Sequence, residues 1–498
     1  MARWKWPLAG FGLLQALLAL GLTWGAHEAN RAFPPPLEQA MERSRQVLDR
    51  DGALLRAFTT SQAKWRLPVK AEDVDRQYIR MLLAYEDQRF YAHRGIDLVA
   101  LGRASLQILT HGRIVSGGST LSMQVARLIE PRADRSFAAK FLQMARAVQI
   151  EQRLSKAQIL DLYLNLAPYG GNLEGVRAAS LAYFGKEPRR LSVAQAALLV
   201  ALPQLPERRR PDRYLDNAEA ARARVLTRLS VEAVIGDGEA ERAGLAPIQS
   251  KRLQLPAFAP HVAEAALRKA PKARIYQTTL KRDVQAALEA VARDAAKRLG
   301  PKISVAMILA ETRTGAILGE VGSADYFDSS RAGWIDMTRT LRSPGSTLKP
   351  FIYGLAFEQG LIAQQTIIED RPADFFGYRP KNFDMSYQGD VSIRQALQMS
   401  LNVPAVKLLD VVGPTRLTSR FRRAGVKPVL PDSEAPGLAI ALGGVGLSLH
   451  DLVQLYAGFA NRGFPVKLGD GVREKPAPIV GEPIIEPASV WQVSDILS

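Results

Sequence analysis

Ala84-Tyr85-Glu86-Asp87-Gln88-Arg89-Phe90-Tyr91-Ala92-His93-Arg94-Gly95-Ile96-Asp97 crowds carboxylates, an imidazole and aromatic rings into one short stretch, which is the mark of site chemistry. The residues before it, Tyr78 to Tyr85, carry apolar side chains at helical spacing without Gly or Pro. Glu86 is therefore expected at or near the end of a helix, before Gly95 breaks the pattern. Glu86 and Phe90 would share a face of that helix. The same charges also fit a capped, solvent-facing helix end whose acids pair with Arg89 and Arg94. The choice between the two readings is made downstream.

A chain of 498 residues exceeds what one hydrophobic core accommodates, so two or more domains are expected, and 47% hydrophobic residues allow sizeable cores. The formal charge of +17 favours anionic partners, either nucleic acid or an acidic membrane surface with phosphate-bearing lipids. Composition does not choose between them. The absence of Cys excludes disulfides, thiolate metal sites and a Cys nucleophile.

The N-terminus bears on the compartment. Arg3 and Lys5 precede an uncharged run from Trp6 to Ala26, close to the roughly 20 residues a bilayer helix needs. Trp4, Trp6 and Trp24 sit where interfacial aromatic anchors belong, and the leading basic residues place the N-terminus in the cytoplasm with the rest exported. The other reading is a signal peptide cut after Gly25-Ala26. Both put the bulk of the chain outside the cytoplasm, which argues against a nucleic-acid partner.

After the Pro34-Pro35-Pro36 spacer, Val47 to Leu55 reads as a hairpin turning at Asp51-Gly52. From Asp73 to about Ser230 the patterns are mainly helical, in Tyr78 to Tyr85, Leu98 to Leu109, Met123 to Leu128, Phe137 to Leu154, Lys156 to Leu166 and Val193 to Leu202. Between two of these helices lies Val115-Ser116-Gly117-Gly118-Ser119-Thr120-Leu121-Ser122-Met123-Gln124. Its glycines allow close backbone approach, and its hydroxyls and amide can hold an anionic or sugar ligand. It equally fits a Ser/Thr N-cap entering the next helix.

Taken in order, these stretches resemble the family 51 glycosyltransferase domain of bacterial peptidoglycan synthases. The motif Glu-Asp-x-x-Phe-x-x-His-x-Gly-x-Asp is matched at Glu86, Asp87, Phe90, His93, Gly95 and Asp97. The motif Gly-x-Ser-Thr-Ile-Thr-Gln-Gln is matched at Gly117, Ser119, Thr120 and Gln124, with departures at Leu121, Ser122 and Met123. Leu154 to Asn165 is similar to that family's Ser-Lys…Ile-Leu-Glu-x-Tyr-Leu-Asn signature. Where the family has Arg-Lys-x-x-Glu, this chain has Ala139-Lys140-Phe141-Leu142-Gln143, a neutral amide in place of a carboxylate.

The resemblance implies a mainly helical, lysozyme-like domain that polymerises lipid II, a disaccharide-peptide on a polyprenyl pyrophosphate, into nascent glycan. Glu86 would be the general base that takes the acceptor hydroxyl proton, and Lys140, with Arg127, would neutralise the leaving pyrophosphate. Asp87, His93, Ser119, Thr120, Gln124 and Gln143 would line the substrate site. No cofactor is firmly implied, and a divalent cation held by Asp87 or nearby groups is a further reading. His93 orients the motif loop or is simply structural. Arg208-Arg209-Arg210 touches anionic headgroups or forms a solvated loop.

From Val231 to about Leu299 the chain is rich in Ala, Arg, Glu and Lys, and a helix is expected around Val284 to Arg293. Ile303 to Ala310, a turn at Thr312 to Gly315, and Ala316 to Gly322 read as a β-hairpin, which with its flanking helices makes this second domain α/β. Ser346-Thr347-Leu348-Lys349 follows Pro344-Gly345 and gives Ser-x-x-Lys; Ser400-Leu401-Asn402 gives Ser-x-Asn. The bare first pattern also occurs at Ser61-Gln62-Ala63-Lys64, so its context carries the weight. Together the two motifs resemble the penicillin-binding transpeptidase domain. The resemblance implies Ser346 as acyl-enzyme nucleophile, Lys349 as its activating base, and Ser400 and Asn402 as proton relay and substrate amide contact.

No Lys-Thr-Gly or Lys-Ser-Gly triplet follows Asn402, and the sequence stops in Val490 to Ser498, which reads as a helix cut short. The C-terminal part of the domain is therefore expected to be missing and cross-linking to be impaired. Helical runs are expected around Ile440 to Leu447 and Leu449 to Asn461.

The expected plan is multidomain: a tail and transmembrane anchor over 1–30, the glycosyltransferase over 45–232, a linker over 233–298 and the transpeptidase over 299–498. As a class A penicillin-binding protein, it would sit single-pass in the cell inner membrane with its catalytic domains in the periplasm. Its partners would be lipid II, stem peptides, beta-lactams at Ser346 and other cell-wall proteins, with no nucleic acid. The alternative is a non-catalytic lipid II-binding scaffold, prompted by Gln143 and the absent triplet. A hydrolytic β-lactamase or carboxypeptidase would share Ser346 and Lys349 but would not need the first domain.

Overall fold

A computed structural model of the chain describes residues 31–40, 42–100, 102, 119–131, 136–431, 435–472 and 481–498. The apolar run expected to anchor the chain, Trp6 to Ala26, and the glycines at Gly117 and Gly118 lie outside these. Among the described residues no helix is long and apolar enough to cross a membrane. The chain divides into two compact units, one of residues 1–45 and 57–255, the other of 46–56 and 256–498.

The first unit is helical. Its helices are α1 (Arg76–Glu86), α2 (Leu121–Ile129), α3 (Phe137–Arg153), α4 (Lys156–Leu166), α5 (Val176–Phe184), α6 (Val193–Ala201), α7 (Leu215–Val231) and α8 (Asp237–Leu245). Several starts are written into the sequence as side chains that satisfy the first-turn N–H groups: Asp75 for α1, Thr120 for α2, Ser136 for α3, and reciprocal Ser/Gln capping boxes at Ser155 and Gln158 for α4 and at Ser192 and Gln195 for α6. Helix α6 is the axle. Every residue from Ala196 to Ala201 is buried, and its alanines let α1, α5, α7 and α8 close around it. It runs into a 3-10 turn at Leu202–Gln204, whose last side chain returns to the site described below.

In the second unit, α9 is Pro260–Lys269, α10 Arg282–Leu299, α11 Lys349–Glu358, α12 Ile393–Gln398, α13 Asn402–Val412, α14 Pro414–Arg423, α15 Leu449–Ala460 and α16 Pro487–Leu497. Met307–Ala310 pairs antiparallel with Ile317–Val321, Met307 opposite Val321, and α10 packs on that hairpin. Ile367–Asp370 pairs antiparallel with Gly389–Ser392. Helix α11 is buried from Lys349 to Phe357 and is surrounded by α12, α13, α14 and α16 in one apolar cluster. Within it the Phe351 ring meets Phe421, Tyr456 and Phe459 edge-on, with centroids 5.5, 5.3 and 5.6 Å away.

Three expectations change. The hairpin at Asp51-Gly52 forms, with strands Gln46–Leu48 and Leu54–Ala57, but residues 46–56 belong to the second unit, where Gln46–Leu48 pairs parallel with Ile275–Gln277. The 233–298 stretch is structured rather than a linker: α8 packs on α6 and α7, and α9 and α10 belong to the second unit. The helical run expected over Ile440 to Leu447 is only a 3-10 turn, Leu438–Leu442, because Gly443 takes a left-handed φ of 94° and the chain then extends to bridge Val429 and Arg342.

Truncating Phe351 to Ala should lower the second unit's unfolding free energy by about 3–5 kcal/mol, read from its denaturant transition. A loss under 1 kcal/mol would show that the aromatic cluster is not the centre of this core.

Candidate active sites

Glu86 is the last residue of α1 and stands in a pocket of about 200 Å3 that Tyr85, Ser119, Gln124, Gln204 and Arg228 help to line. Its two carboxylate oxygens are held separately. Gln124 Nε2 donates to Oε2 at 2.7 Å from α2, and Gln204 Nε2 donates to Oε1 at 2.9 Å from the turn after α6. Arg209 in turn donates to Gln204 Oε1 at 3.0 Å and to the Ala201 carbonyl, so a cation orients the amide that orients the carboxylate. Of the acids in this stretch, Asp97 pairs with Arg89 at 3.6 Å, whereas Glu86 takes two amides instead.

Asp87 and His93 are buried, and Asp87 also lines the Glu86 pocket. His93 Nδ1 accepts from the Gly95 N–H at 3.2 Å, so Nε2 carries the proton and donates to Asp87, 3.0 Å from Oδ2. Asp87 Oδ2 also accepts from the Leu121 N–H at 2.7 Å, a first-turn donor of α2. Thr120 caps the same helix through the Met123 N–H and donates to the Gly95 carbonyl at 2.6 Å. Thus the two motifs are stitched together backbone to side chain. Gly95 sits at φ 95°, and a Cβ there would lie 2.9 Å from the Ala147 and Val148 backbone of α3, an approach only glycine permits. His93 Nε2 also lies 3.1 Å from Asp87 Oδ1, and among the described residues no group of three His, Asp or Glu is arranged to hold a metal ion.

On α3, Lys140 Nζ donates to Ser119 Oγ at 2.7 Å and to Gln143 Oε1 at 3.2 Å, while Gln143 Nε2 donates to the Met123 carbonyl at 2.6 Å. Gln143 therefore bridges Lys140 to the backbone of α2 with a donor that a carboxylate lacks. Ser119 lines the Glu86 pocket and accepts from Lys140, and so connects the two. Burial and the nearby Arg127 guanidinium hold the Lys140 ammonium below its usual pKa. Of the three consecutive arginines, Arg210 is buried against Asp212 at 2.6 Å, Arg209 reaches the Glu86 network, and Arg208 is exposed.

In the second unit, Ser346 lies in a 3-10 turn, Gly345–Leu348, that feeds α11, and three residues per turn set Ser346 and Lys349 on one face. Ser346 is exposed, and among the described residues its hydroxyl has no hydrogen-bond partner. Lys349 is buried, and its Nζ donates to the Ser400 carbonyl at 2.5 Å, Ser400 Oγ at 3.1 Å and Asn402 Oδ1 at 2.7 Å. Burial lowers its pKa to about 8. Ser400 can offer both oxygens because its φ is 54°, a left-handed conformation unusual for a residue with a side chain. By contrast, Ser61 of the other Ser-x-x-Lys match lies in an exposed turn and donates to Glu42.

Sequence reading missed Gln204, Arg209 in its actual role, and two buried residues behind Asn402, namely Asp370 and Asn382. None of them carries a local pattern, because each joins the site from an element distant in sequence.

Residues 51–230 match the Transglycosylase family and residues 305–498 the Penicillin binding protein transpeptidase domain, so the chain belongs to the class A penicillin-binding protein family. It is 41% identical over 475 residues to penicillin-binding protein 1C of Escherichia coli K12, covering 95% of this chain and 60% of that one. It is 29% identical to penicillin-binding protein 1F of Bacillus subtilis 168, over 85% of this chain and 60% of that one. The chain thus spans about 60% of the length of these relatives.

Replacing Asp87 by Ala orphans the Leu121 and His93 donors, and should cost about 1–3 kcal/mol for each in the first unit's stability. It should also speed hydrogen exchange at the Leu121 amide. Unchanged exchange there would show that Asp87 does not join the two motifs.

Proposed function

We propose that this chain is a peptidoglycan synthase that polymerises lipid II at the Glu86 pocket and cross-links stem peptides through an acyl-serine at Ser346. The observation that carries the first half is the Glu86 carboxylate, fixed by one amide on each oxygen at the mouth of a polar pocket. Glu86 takes the proton of the acceptor sugar hydroxyl as that oxygen attacks the donor's anomeric carbon, and the bond to the polyprenyl pyrophosphate breaks with inversion. Lys140 and Arg127 receive the charge that leaves. The Arg127 guanidinium repels the partly buried Lys140 ammonium in the free protein, and a pyrophosphate between them would offset that repulsion.

In the second half, neutral Lys349 accepts the Ser346 proton while Ser346 Oγ attacks the donor peptide carbonyl, and Ser400 relays the proton to the leaving amine. Beta-lactams would acylate the same hydroxyl. The uncharged run from Trp6 to Ala26 would hold the chain at the inner membrane, where lipid II resides, with both units in the periplasm.

Glu86→Gln keeps the side-chain volume and removes the base. Polymer made from labelled lipid II should fall by about 100-fold or more in a variant that remains folded. Polymer at the parent rate would remove Glu86 as base. A folded parent that binds lipid II and makes none would favour the scaffold.

Acylation of Ser346 by a fluorescent penicillin should rise about tenfold per pH unit below pH 8 and level off above it, because Lys349 accepts a proton only once its own is lost. A rate flat between pH 6 and 9 would remove Lys349 as the base.

A further inference from the structure

We infer that Asp370, acting through Asn382, is a positioning residue of the Ser346 site, fixing which end of the Asn402 amide faces Lys349. The inference rests on the acyl-serine reading for its importance, though not for its geometry.

Asp370 ends the strand Ile367–Asp370 and is fully buried. Among the described residues it has no cation at ion-pair distance, and its carboxylate is held by neutral donors instead. Asn382 Nδ2 lies 2.9 Å from Oδ1 and 2.8 Å from Oδ2, and the Gln388 N–H donates to Oδ2 at 2.8 Å. The other titratable group whose environment it shapes is Tyr353 of α11, whose ionised form it opposes. A carboxylate only accepts, so the Asn382 amide has one orientation, nitrogen toward Asp370. That nitrogen is further tied to the Ser386 carbonyl at 2.9 Å.

Asn382 Oδ1 must therefore point the other way, where it accepts the Asn402 N–H at 2.8 Å. This N–H is one of the unmatched donors that open α13, and the residue before it, Leu401, has no side-chain oxygen to cap the helix. Asn382 supplies the missing cap from another part of the chain. The neighbouring Lys381 carbonyl accepts from Asn402 Nδ2 at 2.7 Å, which turns Asn402 Oδ1 toward Lys349.

The chain of contacts converts one buried charge into a defined acceptor at the lysine. Two adjacent residues, Lys381 and Asn382, grip the backbone and the side chain of Asn402 together. If Asp370 becomes an amide, its own orientation is no longer fixed by charge, and Asn382 can turn with it. Asn402 then loses its clamp, and an NH2 group can face the ammonium.

Asp370→Asn tests this. The Lys349 titration would be followed by NMR of lysine carrying a 13C label, in the full chain and in the variant, beside the pH profile of acylation by fluorescent penicillin. The expected result is a Lys349 midpoint lowered by about half a unit or more, because an acceptor for the ammonium is lost. The acylation profile should shift the same way, with a several-fold lower plateau. If Asp370→Asn does not fold, Asn382→Ala removes the clamp while leaving residue 370 unchanged, and should move the midpoint in the same direction. An unchanged Lys349 midpoint in the folded variant overturns the inference whether or not the parent is acylated. A parent that penicillin does not label, with the midpoint still shifted in the variant, removes the acyl-serine reading and leaves the positioning role standing.

Discussion

A lysine ammonium needs three acceptors, and Lys349 finds them in the interior of the second unit, at the head of a helix that is otherwise apolar. Much of that unit's arrangement follows from meeting this demand. A charge taken out of water without partners costs several kcal/mol, so the chain must deliver oxygens to the first turn of α11. Two of them come from Ser400 alone, which adopts a left-handed conformation. The third comes from Asn402, at the start of α13. The same burial that demands these partners also weakens the lysine's hold on its proton, and so links the stability of the core to the chemistry of its edge.

The first unit meets a related demand with the opposite charge. Glu86 closes α1 as Lys349 opens α11, and each lies beside a helix that is buried on all sides. In the first unit that helix is α6, whose continuation carries Gln204 to the carboxylate. A buried helix is a firm mount because its neighbours fix both its rotation and its translation. Polar groups placed at its end inherit that rigidity, although they stand at the protein's edge.

How much of this was legible varies with the range of the interaction. The helix ending at Glu86, the caps at Thr120 and Ser155 and the hairpin at Asp51-Gly52 are local, and spacing or a single turn residue announces them. The motif residues Glu86, Gln124, Lys140, Ser346, Lys349 and Asn402 were found through resemblance, and the structure places them in two clusters. That Asp87 and His93 are buried as a hydrogen-bonded pair was not legible from residue types, since a buried Asp-His pair and an exposed one read alike. Gln204, Asp370 and Asn382 were invisible because their partners lie 118, 12 and 20 residues away. The left-handed Ser400 was equally hidden, since serine carries no sign of that conformation. The place of residues 46–56 was hidden for the same reason: nothing near Val47 says that its partner strand begins at Ile275.

That strand pairing has a consequence for how the protein is made. Residues 46–56 leave the ribosome early, yet the strand that pairs with Gln46–Leu48 emerges more than two hundred residues later, after the whole of the first unit. During synthesis the early strand must wait with an open edge while the helical unit folds as a loop inserted into the other. A single cut near residue 255 would therefore not yield two halves that each hold all their own strands. The second unit is contiguous in space and discontinuous in time.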